Sequence, residues 1–380
     1  MTRRGGVLTA VTLTAFLCAL STGNRLYYFA ALCFFLVLGW GFVSLPVMKR
    51  LIRVEASLSP RHVNRGESAA LQIRVINRCP LPVKPLQLQV CMGESTTLYQ
   101  VRLRPMKEGR LTAELPSEHV GAFLCGADCV FAEDVFGIVR CRISHSEKEM
   151  LLSLPLSFPV EEMTFSPGDT GKAALSRAQE DYTSPDDVRA YVPGDAMKRI
   201  HWKLSSRRGE VLVRRYETPA PPDTLILVDQ RSPEHEDAEK ALALRDAVCE
   251  TAVAVADMQL KDQSPVRAPF YGRYANEFAA DQSVNISYLK EMLALQPFDG
   301  QEDFARTLHL ELRRMGRTGA AVVITTCLTP NVVEAVSRIR RMGPHVRLYL
   351  VSYDPENELL QPLVGQLQHH LVEVCYVTPA

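Results

Sequence analysis

The residues with the strongest potential for chemistry lie between Ser184 and Glu217. These 34 positions hold eight of the 43 lysines and arginines of the chain and one of its two tryptophans. Asp195, His201 and Lys203 supply a carboxylate, an imidazole and an amine, the residue types of an acid–base site. The same charges can instead form an internal ion-pair network or a face that binds a partner. The sequence leaves these three functions open.

Turn and strand signals organise this segment. Pro193-Gly194-Asp195 has turn chemistry, because proline presets φ, glycine accepts a positive φ and the aspartate carboxylate bonds to nearby backbone N–H groups. A mixed basic and apolar run follows. The alternation of Val211, Val213 and Tyr216 then predicts a strand.

This segment resembles the core motif of the bacterial family called domain of unknown function 58. In that family an acidic segment with Arg, Tyr and Gly-Asp leads into a basic segment with Ile, Trp-Lys, Ser and Arg. The matching positions are Asp186 or Asp187, Arg189, Tyr191, Gly194, Asp195, Arg199, Ile200, Trp202, Lys203, Ser206 and Arg207. His201 and Arg208 lie within the same run.

The resemblance implies a membrane-anchored protein that works with a MoxR-type AAA ATPase. It implies little about activity, because the family is named for lacking a known function. We expect the motif residues to form either a salt-bridged brace between two domains or the docking face for the partner. We expect a non-enzymatic protein without a cofactor; the alternative is an enzyme centred on Asp195, His201 and Lys203.

Composition and cysteine usage narrow the class of protein. The formal net charge is zero, which does not favour a nucleic-acid-binding protein. Among the ten cysteines, Cys125 and Cys129 are the only close pair outside the apolar N-terminus, and no histidine stands at ligand spacing from them. We therefore predict reduced cysteines that fill core and membrane positions, and no zinc site.

Two apolar runs at the N-terminus predict a transmembrane helical hairpin over residues 1–50. Val7 to Leu20 is followed by a turn and by the uncharged run from Leu26 to Val47. A signal peptide is the competing interpretation of the first run. Basic residues flank the two apolar runs, so the positive-inside rule predicts that both ends and the soluble domains lie in the cytoplasm. Arg25, in the outer turn, is a smaller charge that favours the opposite orientation. These flanking residues are Arg3, Arg4, Lys49, Arg50 and Arg53.

Residues 51–160 show short alternating runs separated by Asn, Gly and Pro, which predict an immunoglobulin-like β-sandwich. The predicted strands are Ala69 to Ile76, Leu86 to Val90, Leu98 to Leu103, Gly109 to Leu115 and Cys129 to Phe131. The run from Glu133 to Ile138 resembles the family's Asp-Pro-Phe-Gly-Leu turn, with Val135 in place of proline. Residues 161–222 hold the motif and a linker.

Residues 223–380 alternate between apolar strands and helices, which predicts an α/β domain with a parallel sheet covered on both faces. The predicted strands are 224–229, 266–271, 320–326, 346–352 and, at an edge, 371–377; the predicted helices are 236–260, 284–295, 302–315, 331–342 and 356–369.

This half resembles a von Willebrand factor A domain, which often binds a divalent ion through Asp-x-Ser-x-Ser after its first strand. Asp229 stands at the first position, but Arg231 and Pro233 replace both serines, and Thr325 to Cys327 end the later strand where a Thr-Asp pair is sought. We expect Asp229 to pair with Arg231 or to cap a helix, and the metal site to be lost. A metal-dependent ligand-binding domain seeded by Asp229 is the alternative.

Overall fold

A computed structural model describes the chain at residues 2–80, 82–93, 95–143, 147–160, 187–192, 197, 200–215, 223–271, 275–316, 318–355 and 357–379. The chain divides into two compact units, Met1–Leu154 and Pro155–Ala380. Each unit has its own sheets and its own buried core.

The first unit begins with two helices, α1 (Arg3–Thr22) and α2 (Arg25–Leu51). Both are long and apolar enough to span a membrane. The Thr2 side chain caps α1, and Gly23 ends it in the left-handed region at φ 62°, a conformation that glycine adopts without a steric penalty. The Asn24 side chain then caps α2. The helices extend beyond the predicted apolar runs because these caps, rather than hydrophobicity, set their ends.

An antiparallel β-rich region follows the two helices. One sheet has the order β1-β3-β6, and the other has the order β2-β9-β7-β4-β5, with β8 paired to β7. The pair of β2 with β9 is parallel. The strands are β1 (Ile52–Ser59), β2 (His62–Asn64), β3 (Ser68–Asn77), β4 (Leu86–Met92), β5 (Ser95–Val101), β6 (Glu108–Pro116), β7 (Gly121–Glu133), β8 (Arg140–Ile143) and β9 (Glu149–Leu154).

One core joins the two sheets of this unit. Leu71 on β3 and Leu88 on β4 belong to the same buried cluster, although they lie in different sheets. Met48, in the last turns of α2, is buried in that cluster as well. The end of α2 therefore contributes to the core of the β-rich region.

The second unit opens with a small hairpin and a short helix. These are β10 (Asp187–Ala190), α3 (Trp202–Arg208) and β11 (Leu212–Arg215). The two strands are antiparallel, with Asp187 opposite Arg215. The predicted turn at Pro193-Gly194-Asp195 lies outside the described residues.

A six-stranded sheet follows, with the order β14-β13-β12-β15-β16-β17. Its elements are β12 (Asp223–Val228), α4 (Ala238–Lys261), β13 (Val266–Phe270), β14 (Asn276–Ala280), α5 (Ile286–Leu295), α6 (Phe304–Glu311), β15 (Thr318–Thr325), α7 (Pro330–Arg341), β16 (His345–Val351), α8 (Gln361–His369) and β17 (Glu373–Val377). The sheet is mixed rather than purely parallel, because β14 pairs antiparallel with β13. The predicted all-parallel sheet was wrong at this edge.

Helices cover the two faces of this sheet. Leu225 and Leu227 on β12 pack in one core with the apolar side chains of α6, α7 and α8. Thr224 points to the other face, where its hydroxyl lies 3.1 Å from Gln259 Oε1 of α4. Every side chain of β12 from Thr224 to Val228 is buried, which explains its continuous apolar run.

Candidate functional site

The strand order of the sheet reverses between β12 and β15. From β12 the chain crosses through α4 to β13 on one side, whereas β15, β16 and β17 continue on the other side. In open α/β sheets the crevice at such a reversal of strand order is the usual place for a ligand. Asp229 directly follows β12, and Thr325 is the last residue of β15. These two residues therefore define the candidate site.

Asp229 is buried and holds the Arg231 guanidinium through both carboxylate oxygens. Arg231 Nε lies 2.9 Å from Oδ1, and Nη2 lies 2.7 Å from Oδ2. The backbone N–H of Arg231 also donates to Oδ1, at 3.1 Å. The Thr325 hydroxyl donates to Oδ2 at 2.7 Å, across 96 positions of sequence. Asp229 and Arg231 thus form the ion pair expected from the sequence.

Two further groups surround this pair. The backbone N–H of Cys327 donates to Thr325 Oγ1 at 3.1 Å, which holds the loop after β15 against the site. Asp303 caps α6 and accepts a hydrogen bond from Asn331 Nδ2 at 3.0 Å. This bond lowers the pKa of Asp303, whose negative charge acts on Arg231.

These contacts determine the charge of Arg231 and the reactivity of Cys327. The hydrogen bond to Asp229 raises the pKa of Arg231, so the guanidinium stays charged. Burial raises the pKa of the Cys327 thiol, which disfavours a reactive thiolate.

The residues present do not fit the divalent ion of an A-type domain. Both Asp229 oxygens are engaged by Arg231, and neither Arg231 nor Pro233 has a side-chain oxygen to offer. Within the described parts of the chain, no group of three His, Cys, Asp or Glu side chains is placed to hold a metal.

Within the described residues, the motif segment contains β10, α3 and β11. Tyr191 N donates to Val211 O at 2.8 Å, and His201 N donates to Leu212 O at 2.8 Å, so backbone bonds tie both ends of the segment to the strand β11. Ile200, Leu212 and Val213 are buried beneath α3. These apolar residues, rather than the charged ones, provide the local core.

His201 and Ser205 have structural roles in this unit. His201 Nδ1 accepts a hydrogen bond from Leu204 N at 3.3 Å and so caps α3. Ser205 is buried, and its Oγ accepts a hydrogen bond from Leu212 N at 2.9 Å. Ser206, which we had matched to the motif, is exposed and bonds only to Lys203 O within its own helix, at 3.3 Å. Counted from Trp202 and Lys203, the Trp-Lys-x-Ser spacing of the family motif falls on Ser205, so the match to Ser206 was one position off.

The remaining motif residues divide by exposure. The Trp202 side chain is 66% exposed. Lys203, Arg207 and Arg208 are also exposed, and within the described residues none of the three forms an ion pair. Tyr191 is half-buried. Gly194, Asp195 and Arg199 lie outside the described residues, and Asp187 and Arg189 are described only as backbone of β10.

A second buried charged cluster was not predicted. Glu311, at the end of α6, is fully buried and accepts a hydrogen bond from Arg267 Nη2 at 2.7 Å. The Tyr271 hydroxyl donates to the other oxygen of Glu311. Arg267 also lies 3.1 Å from Glu277. The one sequence signal for this cluster is an arginine inside an apolar strand. The cluster of Glu311, Arg267 and Tyr271 joins β13 to α6. It is separate from the Asp229 site, because its residues lie elsewhere in the sequence and on other elements.

Comparison with known proteins gives one matching family and one distantly related protein. The family described as "Protein of unknown function DUF58" matches residues 187–373. The protein of Bacillus subtilis (strain 168) described as "Uncharacterized protein YeaD" is 20% identical over 347 residues, which cover 86% of this chain and 83% of that protein.

Solved structures give only weak likenesses. The PKD domain of an M14-like peptidase from Thermoplasmatales archaeon SCGC AB-540-F20 overlaps 27% of this chain and 92% of its own, at 10% identity and a TM-score of 0.18. The alkylpurine DNA glycosylase AlkC of Pseudomonas fluorescens overlaps 25% of this chain and 29% of its own, at 12% identity and a TM-score of 0.19. Likenesses this weak carry no argument about fold or function.

The family match begins at the first residue of β10 and ends inside β17, so it covers the motif segment and nearly all of the six-stranded sheet. It confirms the resemblance carried by the motif residues. The chain therefore carries, in its second unit, a domain of the DUF58 family.

Proposed function

We propose that this chain is a membrane-anchored, cytoplasm-facing interaction protein that docks a MoxR-type AAA ATPase through the exposed face of α3. The observation that carries the proposal is Trp202, a large apolar side chain left 66% exposed beside basic residues. Tryptophan and arginine are the residue types that most often dominate binding energy at protein interfaces. The identity of the partner comes from the family resemblance.

The geometry of α3 supports a single docking face. At 100° per residue, Trp202, Ser206, Lys203 and Arg207 fall within an arc of roughly 140° on the helix surface. The opposite side carries the buried Ser205, which is fixed to β11. The helix is therefore held rigidly, and its exposed arc combines one aromatic anchor with two positive charges that complement an acidic partner.

Membrane anchoring is supported by the two N-terminal helices and by their charges. Arg3 and Arg4 begin α1, and Lys49 and Arg50 end α2, so all four lie at the same end of the hairpin. The positive-inside rule then favours a cytoplasmic location for that end and for the chain that follows.

The finer fold assignments belong to the same proposal. Two sheets around one core support an immunoglobulin-like sandwich for the β-rich region. The order of the six-stranded sheet and the position of Asp229 support an A-type domain. In that domain we propose that the Arg231 guanidinium takes the place of the metal ion and that the domain binds its partners without a metal.

The test is a charge reversal on the full chain in detergent micelles, with association to a purified MoxR-type ATPase measured at low and high salt. We expect Lys203→Glu together with Arg207→Glu, the two basic residues of this arc, to slow association about tenfold at low salt, with a smaller effect at high salt. The matched control is Arg313→Glu with Arg341→Glu, which makes the same charge change at two exposed arginines on other elements. The control is expected to associate at the wild-type rate.

Two outcomes contradict the docking face. If the double variant loses its fold, as judged by circular dichroism and melting temperature, these two basic residues belong to an internal brace. If it stays folded and associates at the wild-type rate at low salt, the docking face lies elsewhere.

A further inference from the structure

The turn that follows β7 is held rigidly from inside. Asp134 is 2% exposed, and its Oδ1 accepts hydrogen bonds from Ile138 N at 2.7 Å and Val139 N at 2.9 Å. Its Oδ2 accepts a third, from Phe136 N at 3.3 Å. Gly137 supplies the positive φ, 68°, that the turn requires. One buried carboxylate therefore fixes the backbone of the whole turn.

This turn contacts both N-terminal helices. Thr2 N donates to Ile138 O at 3.1 Å, and the Thr2 hydroxyl contacts Gly137 O, just before α1 begins. On α2, Gly41 lies so close that a Cβ added there would be 3.1 Å from the Val139 side chain. The absence of a side chain at Gly41 thus allows the turn to pack against the helix.

The position of the turn along the axes of α1 and α2 follows from the geometry of the helical hairpin. Only Gly23 and Asn24 separate α1 from α2, so residues at equal distance from this connection lie side by side, and Arg3 is level with about Ser44. From Arg25 to Ser44 the helix α2 is about 30 Å long, the thickness of the hydrocarbon core of a bilayer. The contacts at Thr2 and Gly41 thus place the turn where this span ends.

Burial along α2 marks the same boundary. Trp40, Phe42 and Val43 are exposed apolar side chains, whereas Ser44 is buried and Met48 belongs to the buried core of the β-rich unit. The contacts of α2 with the β-rich unit therefore lie in its last turns, at the level of the turn.

At this level the turn presents its own apolar side chains outward. Val135 and Phe136 form its tip, and Phe136 is 52% exposed although Asp134 and Ile138 on either side are buried. Two apolar side chains on a rigid, water-exposed turn are unfavourable, whereas an aromatic ring at the level of the headgroups is favourable.

We propose that the turn Glu133–Ile138 is a membrane-seating element whose Val135 and Phe136 side chains insert into the cytoplasmic leaflet of the bilayer. The occupant of this surface is lipid, because the turn lies at the end of two apolar helices of bilayer length and beside Arg3 and Arg4, which attract anionic headgroups. The insertion gives the β-rich unit a third contact with the membrane and fixes its tilt. The proposal rests on the membrane anchoring proposed above.

The experiment places one tryptophan at a time in the full chain, reconstituted in phosphatidylcholine–phosphatidylglycerol vesicles. Trp40→Phe with Trp202→Phe removes the natural tryptophans, and Phe136→Trp is added to that background. Lipids brominated near the glycerol end of their acyl chains quench a tryptophan that touches them. We expect quenching of the Phe136→Trp emission as large as that of Trp40 measured in the Trp202→Phe chain.

Leu124→Trp in the same background is the matched control. Leu124 is 56% exposed, like Phe136, but lies about 30 Å along β7 from the turn. Its emission is expected to be insensitive to brominated lipid. Circular dichroism on each variant verifies the fold.

The outcomes separate this proposal from membrane anchoring. Quenching of Trp40 without quenching of Phe136→Trp would leave the anchor intact and overturn the seating element. Equal quenching of Phe136→Trp and Leu124→Trp would also overturn it, because the turn would then have no special contact with lipid. If Trp40 itself is not quenched, the anchoring on which the proposal rests fails.

Discussion

At the scale of single residues, the second unit neutralises two buried carboxylates with arginines. Arg231 places a fixed positive charge against both oxygens of the buried Asp229, which compensates the carboxylate without any ligand. Arg267 compensates the fully buried Glu311 in the same way, with help from the Tyr271 hydroxyl. In both places a buried acid is neutralised by an arginine that reaches the surface with part of its side chain.

The Tyr271–Glu311 contact predicts a dependence of stability on alkaline pH. Burial and the hydrogen bond to Glu311 raise the pKa of Tyr271 to about 12, from an ordinary value of about 10 in the unfolded chain. The contribution of this group to stability is thus fully present below pH 10 and is lost as the pH rises through 12. The free energy of unfolding, measured by urea titration of the full chain in detergent, should fall over that window.

The control for this prediction is Tyr271→Phe, which removes the titrating hydroxyl and keeps the ring. Its free energy of unfolding should change less between pH 10 and pH 12 than that of the natural chain, because the lysines titrate equally in both proteins. Parallel curves for the two proteins would contradict the assigned role of Tyr271.

At the scale of elements, the sequence predicted the central strands of the six-stranded sheet and missed or truncated others, such as β1 and the first part of β7. The strands β12, β15 and β16 were predicted because they are continuous apolar runs, buried on both faces. The helix α3 was not predicted, since its seven residues have only one buried side chain and its cap is a histidine. The strand β14 was also missed, because the run Asn-Glu-Phe-Ala-Ala contains no β-branched residue and is held as a strand by its pairing with β13.

The same contrast applies to the candidate sites. Asp229 and Arg231 are two positions apart, so their pairing could be predicted from the sequence. The bond from Thr325 to Asp229 spans 96 positions and depends on the order of strands in the sheet, as does the cluster of Glu311 with Arg267 and Tyr271. Contacts that only the tertiary fold creates left no local pattern to detect.

The attachment of α3 to β11 predicts unequal effects for two adjacent serines. Ser205→Ala removes the acceptor of the buried Leu212 N–H, so we expect it to lower the free energy of unfolding by about 1–3 kcal/mol. Ser206→Ala removes only an exposed bond within the helix and should change it by less than about 0.5 kcal/mol. Urea unfolding of the full chain measures both, and equal effects would show that Ser205 does not hold α3 in place.

At the scale of the whole molecule, α2 is a helix long and apolar enough to span a membrane and is also a part of a folded core. Its N-terminal part exposes apolar side chains such as Phe29 and Phe35, as a membrane span does. Its last turns bury Met48 against the two sheets of the β-rich unit, and the chain passes directly from Leu51 into β1. No linker separates the helix from the domain at this junction, so a change in the helix is transmitted to the domain directly.

This continuity predicts that a substitution in α2 destabilises strands far along the chain. Met48 is 1% exposed, and Met48→Ala would leave a cavity between the helix and the sheets that costs about 2–5 kcal/mol. Hydrogen exchange of the β3 amides from Leu71 to Val75, measured on the full chain in micelles, should show a protection lower by that amount, because these amides exchange only when the unit opens. Met150→Ala, at a half-exposed position on β9, is the control and should leave their exchange nearly unchanged. Unchanged protection of β3 in Met48→Ala would show that the β-rich unit folds independently of α2. In that case α2 would not rigidly couple the β-rich unit to the bilayer, and the membrane-seating turn could not fix the tilt of the unit through this helix.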